Sequence, residues 1–356
     1  ESNIGVSVGY YNAESRLAFF YPDPQLDVTL AHELTHQLLA EGSQLRSAQQ
    51  AKHERDFWLV EGIALYMESL VDCGAHWRVG GWLAPRLQSA RYRALHDGFW
   101  VEWDKFSAGG MKEWKVDPAI SKLYTQAAGL THFFLDKRLP ATAGAAAGAA
   151  AGAELAEPHQ DAEPERTNYD VDASRLALFR ALISVYSSEK IDGKLIELLG
   201  GSDAQRNYVH YLLVRDRHLK SATEPGSELL STTDLVLSRS QLSSDAWQRV
   251  RQFEKLKWLD ISFSNAASKD LTWLDQLTSL QRLSLEGTAI DGDSLQAVAR
   301  LPQLKELDLS QCPIGDAELA VLRGATSSVP DRPRLTAPTV AAARRNAASD
   351  SSPECA

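Results

Sequence analysis

One short segment of the chain has the residue types and spacing for metal-assisted hydrolysis. It is His32-Glu33-Leu34-Thr35-His36, the pattern HExxH. Residues four apart share one face of an α-helix, so both imidazoles can point at a single ion. Zinc accepts neutral nitrogen ligands and tolerates an open position for water, which Glu33 can reach. The segment predicts one Zn²⁺ held by His32 and His36, with Glu33 as the catalytic base.

A second segment, beginning at Trp58, supplies a carboxylate 25 residues after His36. Its sequence WLVEGIALYME contains Glu61 and, seven residues later, Glu68. Together, HExxH and this pattern resemble the gluzincins, zinc peptidases whose third metal ligand is a Glu on a following helix. The aminopeptidase-N-like branch and a bacterial peptidase-like family of unassigned function are the most similar. The resemblance, which covers roughly residues 4–220, implies that Glu61 is the third ligand and that water takes the fourth position.

Two further residues are candidates for supporting roles. Glu68 would lie two turns beyond Glu61 on the same helix face, where it can accept a hydrogen bond from the distal nitrogen of a ligand histidine. An exposed helix carboxylate is the alternative. Tyr124 heads the helical run YTQAAGL, and the resemblance implies that its hydroxyl stabilises the oxyanion. The Gly-containing motif that usually follows this Tyr is only loosely kept.

Four other histidines lack a partner at ligand spacing, and packing or surface roles are expected for them. They are His53, His76, His96 and His132.

The predicted activity is zinc-dependent peptide-bond hydrolysis. The Gly-Ala-Met-Glu-Asn segment of aminopeptidases is absent from residues 1–31, which favours an endopeptidase. The strand predicted at residues 16–21 would pair with an extended substrate. Two alternatives remain: an interaction protein with an inactive zinc domain, or a purely structural zinc site. The latter needs a fourth protein ligand, and none is evident at suitable spacing.

Secondary-structure patterns place these residues on a small β-sheet and several helices. Strands are predicted at residues 4–11 and 16–21, and helices at 30–41, 57–71, 121–138 and within 172–220. In the last region, one apolar helix face is predicted from Leu176, Phe179, Leu182, Ile183 and Tyr186. Five tryptophans between residues 77 and 114 would line a cleft or, more commonly, pack under loops.

The last third of the chain repeats with a period of 24 residues. Leu235, Leu259, Leu283 and Leu307 are equally spaced, and so are neighbouring apolar positions. The units fit the leucine-rich repeat pattern, in which each unit buries its apolar side only by stacking on its neighbours. Cys312 occupies the small polar position of one unit, so we expect it to pack inside as an unreactive thiol. The repeats predict a protein partner.

Composition excludes several classes of function. A net charge of −10 argues against nucleic acid as the main partner, and no apolar run reaches the 18 or more residues of a membrane span. Three distant cysteines suggest no disulfide framework. Because the chain opens on Glu1 within strand-like sequence, the N-terminus is expected to be incomplete. The compartment is left open, with a lean towards a secreted or cell-envelope protein.

The predicted fold class is α+β. A zincin-like peptidase domain, mainly helical with a small N-terminal β-sheet, would span residues 1–221, with a flexible Ala/Gly-rich insertion at about 140–168. A short α/β leucine-rich-repeat solenoid would follow over residues 222–324. Residues 325–356 would form a disordered tail.

Overall fold

The computed structural model describes residues 9–12, 15–20, 26–42, 55–73, 76–136, 171–187, 194–224 and 227–325. Helices and strands are mixed, and the chain divides into two compact units. The first unit comprises residues 1–81 and 100–211, and the second comprises 82–99 and 212–356. In the described residues, no helix is both long and apolar enough to cross a membrane.

The first unit begins with a hairpin followed by two helices. Strands β1 (Gly9–Asn12) and β2 (Leu17–Phe20) pair antiparallel, with Tyr11 opposite Ala18. Helix α1 (Leu26–Gly42) starts four residues earlier than the predicted 30–41, and α2 (Phe57–Met67) stops four residues before the predicted end at 71. Short strands β3 (Val71–Asp72) and β4 (Trp77–Arg78) follow as a second antiparallel pair.

Further helices of the first unit follow along the chain. They are α4 (Trp103–Ala108), α5 (Met111–Val116), α6 (Ile120–Asp136), α7 (Val171–Ser187), α8 (Lys194–Leu199) and α9 (Ala204–Leu212), which crosses into the second unit. Every residue of α2 from Phe57 to Tyr66 is buried. A helix that is apolar all round must be covered on all sides, and α6 contributes Ala127 and Thr131 next to Gly62 and Phe134 next to Trp58.

One prediction for this unit needs correction. The apolar face expected on α7 is not the buried one: Leu176, Phe179 and Ile183 are exposed, whereas Leu178 and Ala181 are buried beside Leu182. Tertiary packing therefore selects a different stripe of the helix from the one that the pattern indicated.

The tryptophans of the 77–114 stretch largely serve packing. Trp114 is buried against Phe57 and Phe106, and Trp103 lies edge-on to Trp58. Trp77 is 64% exposed. The packing alternative therefore describes the buried rings better than the cleft alternative.

The second unit is built around a parallel four-stranded sheet. Its strands are β5 (Asp234–Val236), β6 (Trp258–Asp260), β7 (Arg282–Ser284) and β8 (Glu306–Asp308), in that order. Leu235, Leu259, Leu283 and Leu307 are aligned across the sheet and all are buried. The 24-residue period is thus the distance from one strand to the next.

Helices lie between and beside these strands. They are α3 (Pro85–Arg91), which continues into a π-helical turn (Tyr92–His96), α10 (Asp216–Ala222), α11 (Ser244–Val250), α12 (Gly292–Ala299) and α13 (Asp316–Ala325). Cys312 packs against the core, and its thiol donates to the carbonyl of Leu285 at 3.1 Å. Burial raises the pKa of this thiol, in keeping with the expected unreactive role.

Each repeat has one residue in the left-handed backbone region, four positions after its aligned leucine. These residues are Arg239 (φ 58°), Phe263 (φ 55°), Gly287 (φ 65°) and Gln311 (φ 58°). Only one of them is glycine, so the turn is not evident from residue types alone. At Gly287 a Cβ would lie 2.6 Å from the ring of Phe263, which explains why glycine occupies that repeat.

The division into units differs from the sequence-based boundary at residue 221. Residues 82–99 join the second unit because Leu83 enters the core of the repeats and Gln88 accepts a hydrogen bond from the Val236 amide at 2.9 Å. The insertion predicted at 140–168 and the tail predicted from 325 onward, apart from Ala325 at the end of α13, lie outside the described residues.

Candidate metal centre

Helix α1 brings the two predicted histidine ligands together on one face. His32 and His36 are one helical turn apart, and their Nε2 atoms lie 3.1 Å from each other. Their rings are nearly perpendicular, with centroids 4.8 Å apart. Two nitrogen lone pairs facing each other at this distance repel unless a proton or a cation lies between them, so the geometry favours a shared positive charge.

Helix α2 adds the third predicted ligand. Glu61 places Oε2 at 3.6 Å from His32 Nε2 and Oε1 at 3.7 Å from His36 Nε2. Glu61 is buried, and the flanking residues Val60 and Gly62 are buried as well, so its carboxylate is fixed by the packing of α2. The three side chains from two helices thus converge at one point.

The donor set fits a zinc ion. With zinc–ligand bonds of about 2.1 Å, the ligands of a tetrahedral site lie about 3.4 Å apart. The three separations in the structure, from 3.1 to 3.7 Å, bracket that value. Two imidazole nitrogens and one carboxylate are also the donor types of hydrolytic zinc sites, which keep a position open for water.

Glu68 lies beside His32, the first of the two predicted histidine ligands. Its Oε1 accepts a hydrogen bond of 2.8 Å from His32 Nδ1. Because Nδ1 is held by Glu68, Nε2 of His32 faces Glu61 and His36, where its lone pair would be available to a metal ion. The alternative of an exposed helix carboxylate does not fit, since the Glu68 side chain is 7% exposed.

Glu33 lies on the same helix with a carboxylate that is largely withdrawn from water. Burial raises its pKa, the charge of His32 lowers it, and the neighbouring Glu61 raises it again, for a net upward shift. The backbone N–H of Tyr11 in β1 donates a hydrogen bond to the Glu33 carboxylate. A carboxylate with a raised pKa takes up a proton more readily near neutral pH, as a general base requires.

The charges of the ligands are interdependent. Burial alone would lower the pKa of His32, but hydrogen bonds to Glu61 and Glu68 outweigh burial and raise it to about 9. Burial alone would raise the pKa of Glu61, yet His32 and His36 hold it below its ordinary value. Without an ion, the buried carboxylate is therefore balanced by imidazolium charge.

Tyr124 lies on α6, and its ring contacts that of Trp114 at 5.8 Å between centroids. The oxyanion role of Tyr124 stays a prediction. Of the four histidines expected to be ordinary, His53 lies outside the described residues and His76 is exposed.

A polar network under the end of α2 was not foreseen from the sequence. Asp136 accepts hydrogen bonds from Tyr66 at 2.8 Å and from His132 at 2.9 Å, and its other contacts include the Gly81 amide. The i, i+4 spacing of His132 and Asp136 was the signal that could have revealed it. This network anchors α2, and with it Glu61, to α6.

Comparison with known proteins identifies the repeats. A family model described as "Leucine rich repeat" matches residues 254–314. Residues 254–314 are leucine-rich repeats. The chain is also similar to "Receptor-like protein EIX1" of Solanum lycopersicum, with 38% identity over 79 residues, which are 22% of this chain and 8% of that protein. No solved structure matches the chain significantly.

These matches confirm the leucine-rich repeats predicted from the 24-residue period. The match spans only 8% of the length of the receptor-like protein, so it says nothing of that protein's whole architecture. The peptidase resemblance of residues 4–220 stays a prediction.

Proposed function

We propose that the first unit is a gluzincin-type zinc peptidase with a zincin-like fold, and that the leucine-rich repeats, as a short solenoid, recognise a protein. The observation that carries the proposal is the convergence of His32, His36 and Glu61 at separations suited to one zinc ion. An endopeptidase remains the favoured activity, since residues 1–31 lack the aminopeptidase segment.

His32, His36 and Glu61 would hold the ion, and Glu68 would orient His32. A zinc ion in such a site would act as a Lewis acid and would lower the pKa of a coordinated water to about 7. Glu33 would take the proton of the attacking water and return it to the leaving amine. The raised pKa supports that role because it makes the carboxylate a better proton acceptor, and the hydrogen bond from the Tyr11 amide supports it because it holds the carboxylate in place.

The β1–β2 hairpin is the element that would align a substrate. The sequence pointed to residues 16–21, which contain β2, for backbone pairing. Contact between Glu33 and the Tyr11 amide places β1 directly beside the proposed base. A peptide bound in extended form along the hairpin would therefore run close to the proposed catalytic carboxylate.

A second candidate function is protein binding without hydrolysis. It is favoured by the comparisons, which match the repeats. Repeats of this kind offer an extended surface for partners. The filled set of ligand, base and orienting residues favours the peptidase, since an inactive domain has no need to keep Glu33 buried beside the ligands.

Glu33→Gln separates the two functions. We expect the variant to keep about one zinc per chain, because no ligand is changed, and to lose hydrolysis of a quenched fluorescent peptide by roughly 10²–10⁴-fold. Glu197→Gln, an exposed helix carboxylate of the same unit, is the matched control. Normal cleavage by Glu33→Gln would refute the base assignment. Absence of both zinc and cleavage in the unmodified chain would leave protein binding as the function.

A further inference from the structure

The second unit contains another group of metal-ligating side chains. His96, Glu286 and Asp308 each offer one ligand atom, and these atoms all lie within 4.8 Å of one another. His96 Nε2 is 2.9 Å from Glu286 Oε2. The group belongs entirely to the second unit and shares no residue with the candidate zinc site.

The imidazole of His96 is held in one orientation. Its Nδ1 donates to Asp97 Oδ1 at 3.0 Å, and Asp97 is in turn paired with Arg93. The ring stacks on that of Tyr92 at 4.5 Å between centroids. Because Nδ1 is committed to Asp97, the lone pair of Nε2 is available to a ligand, which is the carboxylate–histidine arrangement common behind metal ions.

Nε2 of His96 has no hydrogen-bond partner among the described residues, although it is fully buried. The nearby Glu286 oxygen is close enough for an ion pair, but the two groups lack hydrogen-bond geometry. Buried polar atoms are seldom left unsatisfied, and those that lack a protein partner often contact a bound ion or water. A simple structural salt bridge would place the N–H in line with the carboxylate.

A π-helical turn brings His96 to this point. Helix α3 changes to π geometry at Tyr92, and His96 is the last residue of the turn. π-turns are rare and occur often at functional sites, since the extra residue redirects the side chains that follow. The distortion thus points to a requirement on the position of His96.

The two carboxylates come from neighbouring repeats. Asp308 lies opposite Ser284 in the β7–β8 pairing, and Glu286 follows Ser284 by two residues on the same sheet face. Gln311 donates to Oε1 of Glu286 at 2.8 Å, which leaves Oε2 facing His96. Asp308 accepts from the Ser310 amide through Oδ1. Both side chains are therefore oriented with one oxygen directed away from their protein partners.

We propose that His96, Glu286 and Asp308 form a second metal site, which binds one divalent transition-metal ion independently of the peptidase site. One imidazole and two carboxylates suit zinc, manganese and cobalt, and they are poorly suited to soft monovalent copper. The ion would neutralise two neighbouring carboxylates that otherwise repel each other. It would also link the π-helical turn to two successive repeats.

Co²⁺ titration of the full chain tests the proposal, with His32→Gln and His36→Gln present to disable the first site. We expect one Co²⁺ per chain, visible as d–d absorption, and an increase in Tm on adding Zn²⁺ in place of chelator. Adding Glu286→Gln should abolish the absorption and the Tm increase, while adding Glu306→Gln, an exposed carboxylate of β8, should preserve both.

A variant that loses metal because it unfolds is recognised by circular dichroism in chelator, and Asp308→Asn and His96→Gln then repeat the test. Binding that survives all three substitutions, or no Co²⁺ binding in the background chain, would overturn the second site. Neither result bears on hydrolysis, which depends on His32 and His36 and is measured separately on the unmodified chain.

Discussion

At the scale of single residues, the candidate zinc site depends on a buried carboxylate that needs compensation. Glu61 is 7% exposed and lies between two imidazoles. An isolated ionised carboxylate at such a position is costly, so the group must be paired, coordinated or protonated. Its lowered pKa means that pairing keeps it ionised and available as a metal ligand.

Glu61→Ala should therefore weaken zinc binding by at least about 100-fold, since loss of a direct ligand exceeds the 10–100-fold effect of losing an outer partner. Competition with a zinc chelator of known affinity measures the change. Glu197→Ala, which removes an exposed carboxylate from the same unit, should bind zinc as the unmodified chain does. Unchanged stoichiometry and affinity in Glu61→Ala would remove Glu61 from the ligand set.

His218 makes stability depend on pH in the second unit. Burial and the nearby Arg91, Arg217 and Arg215 lower its pKa to about 3, and its ring stacks on Trp82. The folded chain keeps this imidazole neutral while the unfolded chain protonates it near pH 6.5, so stability is present above that pH and is lost as the pH falls towards 3.

When the pH is lowered from 7 to 5, protonation of His218 in the unfolded chain should lower the free energy of unfolding by roughly 1–2 kcal/mol. Urea unfolding of the full chain at both pH values, followed by tryptophan fluorescence, measures the loss. His218→Gln can still accept the Arg215 amide hydrogen bond but does not titrate, so its loss should be smaller by that amount. His76→Gln, at an exposed site, should behave as the unmodified chain does.

At the scale of elements, the close approach of α2 and α6 positions Glu61, the predicted third ligand. Gly62 follows Glu61, and a Cβ there would lie 2.3 Å from Thr131 Oγ1 and 3.1 Å from the Ala127 carbonyl oxygen. Glycine in a helix interior usually costs about 0.5–1 kcal/mol relative to alanine. Glycine is required at position 62 because the backbone of α2 lies directly against the Thr131 side chain of α6. A larger residue would displace α2 and move Glu61 away from the two histidines.

Gly62→Ala should thus lower Tm and weaken zinc binding together, contrary to the usual stabilising effect of this change in helices. Thr131→Ala removes the hydroxyl oxygen that the new methyl group would meet, and this hydroxyl has no hydrogen-bond partner among the described residues. The double variant should recover much of both losses. Thermal melts with and without zinc measure this, and no recovery would mean that the contact does not set the position of α2.

At the scale of the whole molecule, the proposed recognition and the proposed hydrolysis belong to different compact units. Deleting the repeats is a poor test of that assignment, because Leu83 and its neighbours at residues 82–99 belong to the same core. Substitutions on the exposed face of the strands are a better test, because they leave that core intact. There Arg282 lies over the Trp258 ring and pairs with Glu306 in the next repeat.

Trp258→Ala combined with Arg282→Ala should reduce cleavage of a protein substrate by about tenfold or more, since Trp and Arg dominate binding surfaces. Cleavage of a short peptide should be unchanged. Protein substrates are found by incubating a cell extract with the chain and identifying the newly formed termini. The value of kcat/KM is then compared between the protein substrate and the short peptide. Arg300→Ala, which breaks an exposed ion pair with Asp275 elsewhere in the unit, is the control. Equal losses on both substrates would contradict separate roles.

The sequence by itself determined the features that depend on local periodicity. Helical spacing placed His32 and His36 on one face, and the 24-residue period predicted the repeats that the family model confirms at residues 254–314. The seven-residue interval between Glu61 and Glu68 likewise anticipated a shared face. Such features can be predicted from the sequence because a helix or a repeat has the same local geometry wherever it occurs.

Only the tertiary structure decided which distant residues meet. In the tertiary structure Glu68 lies beside His32, and Leu178 rather than Phe179 is buried on α7. Residues 82–99 pack with the repeats in the second unit. The tertiary structure also brought His96 to Glu286 across 190 residues of sequence, where spacing offered no signal. These contacts follow from packing between elements, which depends on the shapes of both partners and leaves no period in either sequence.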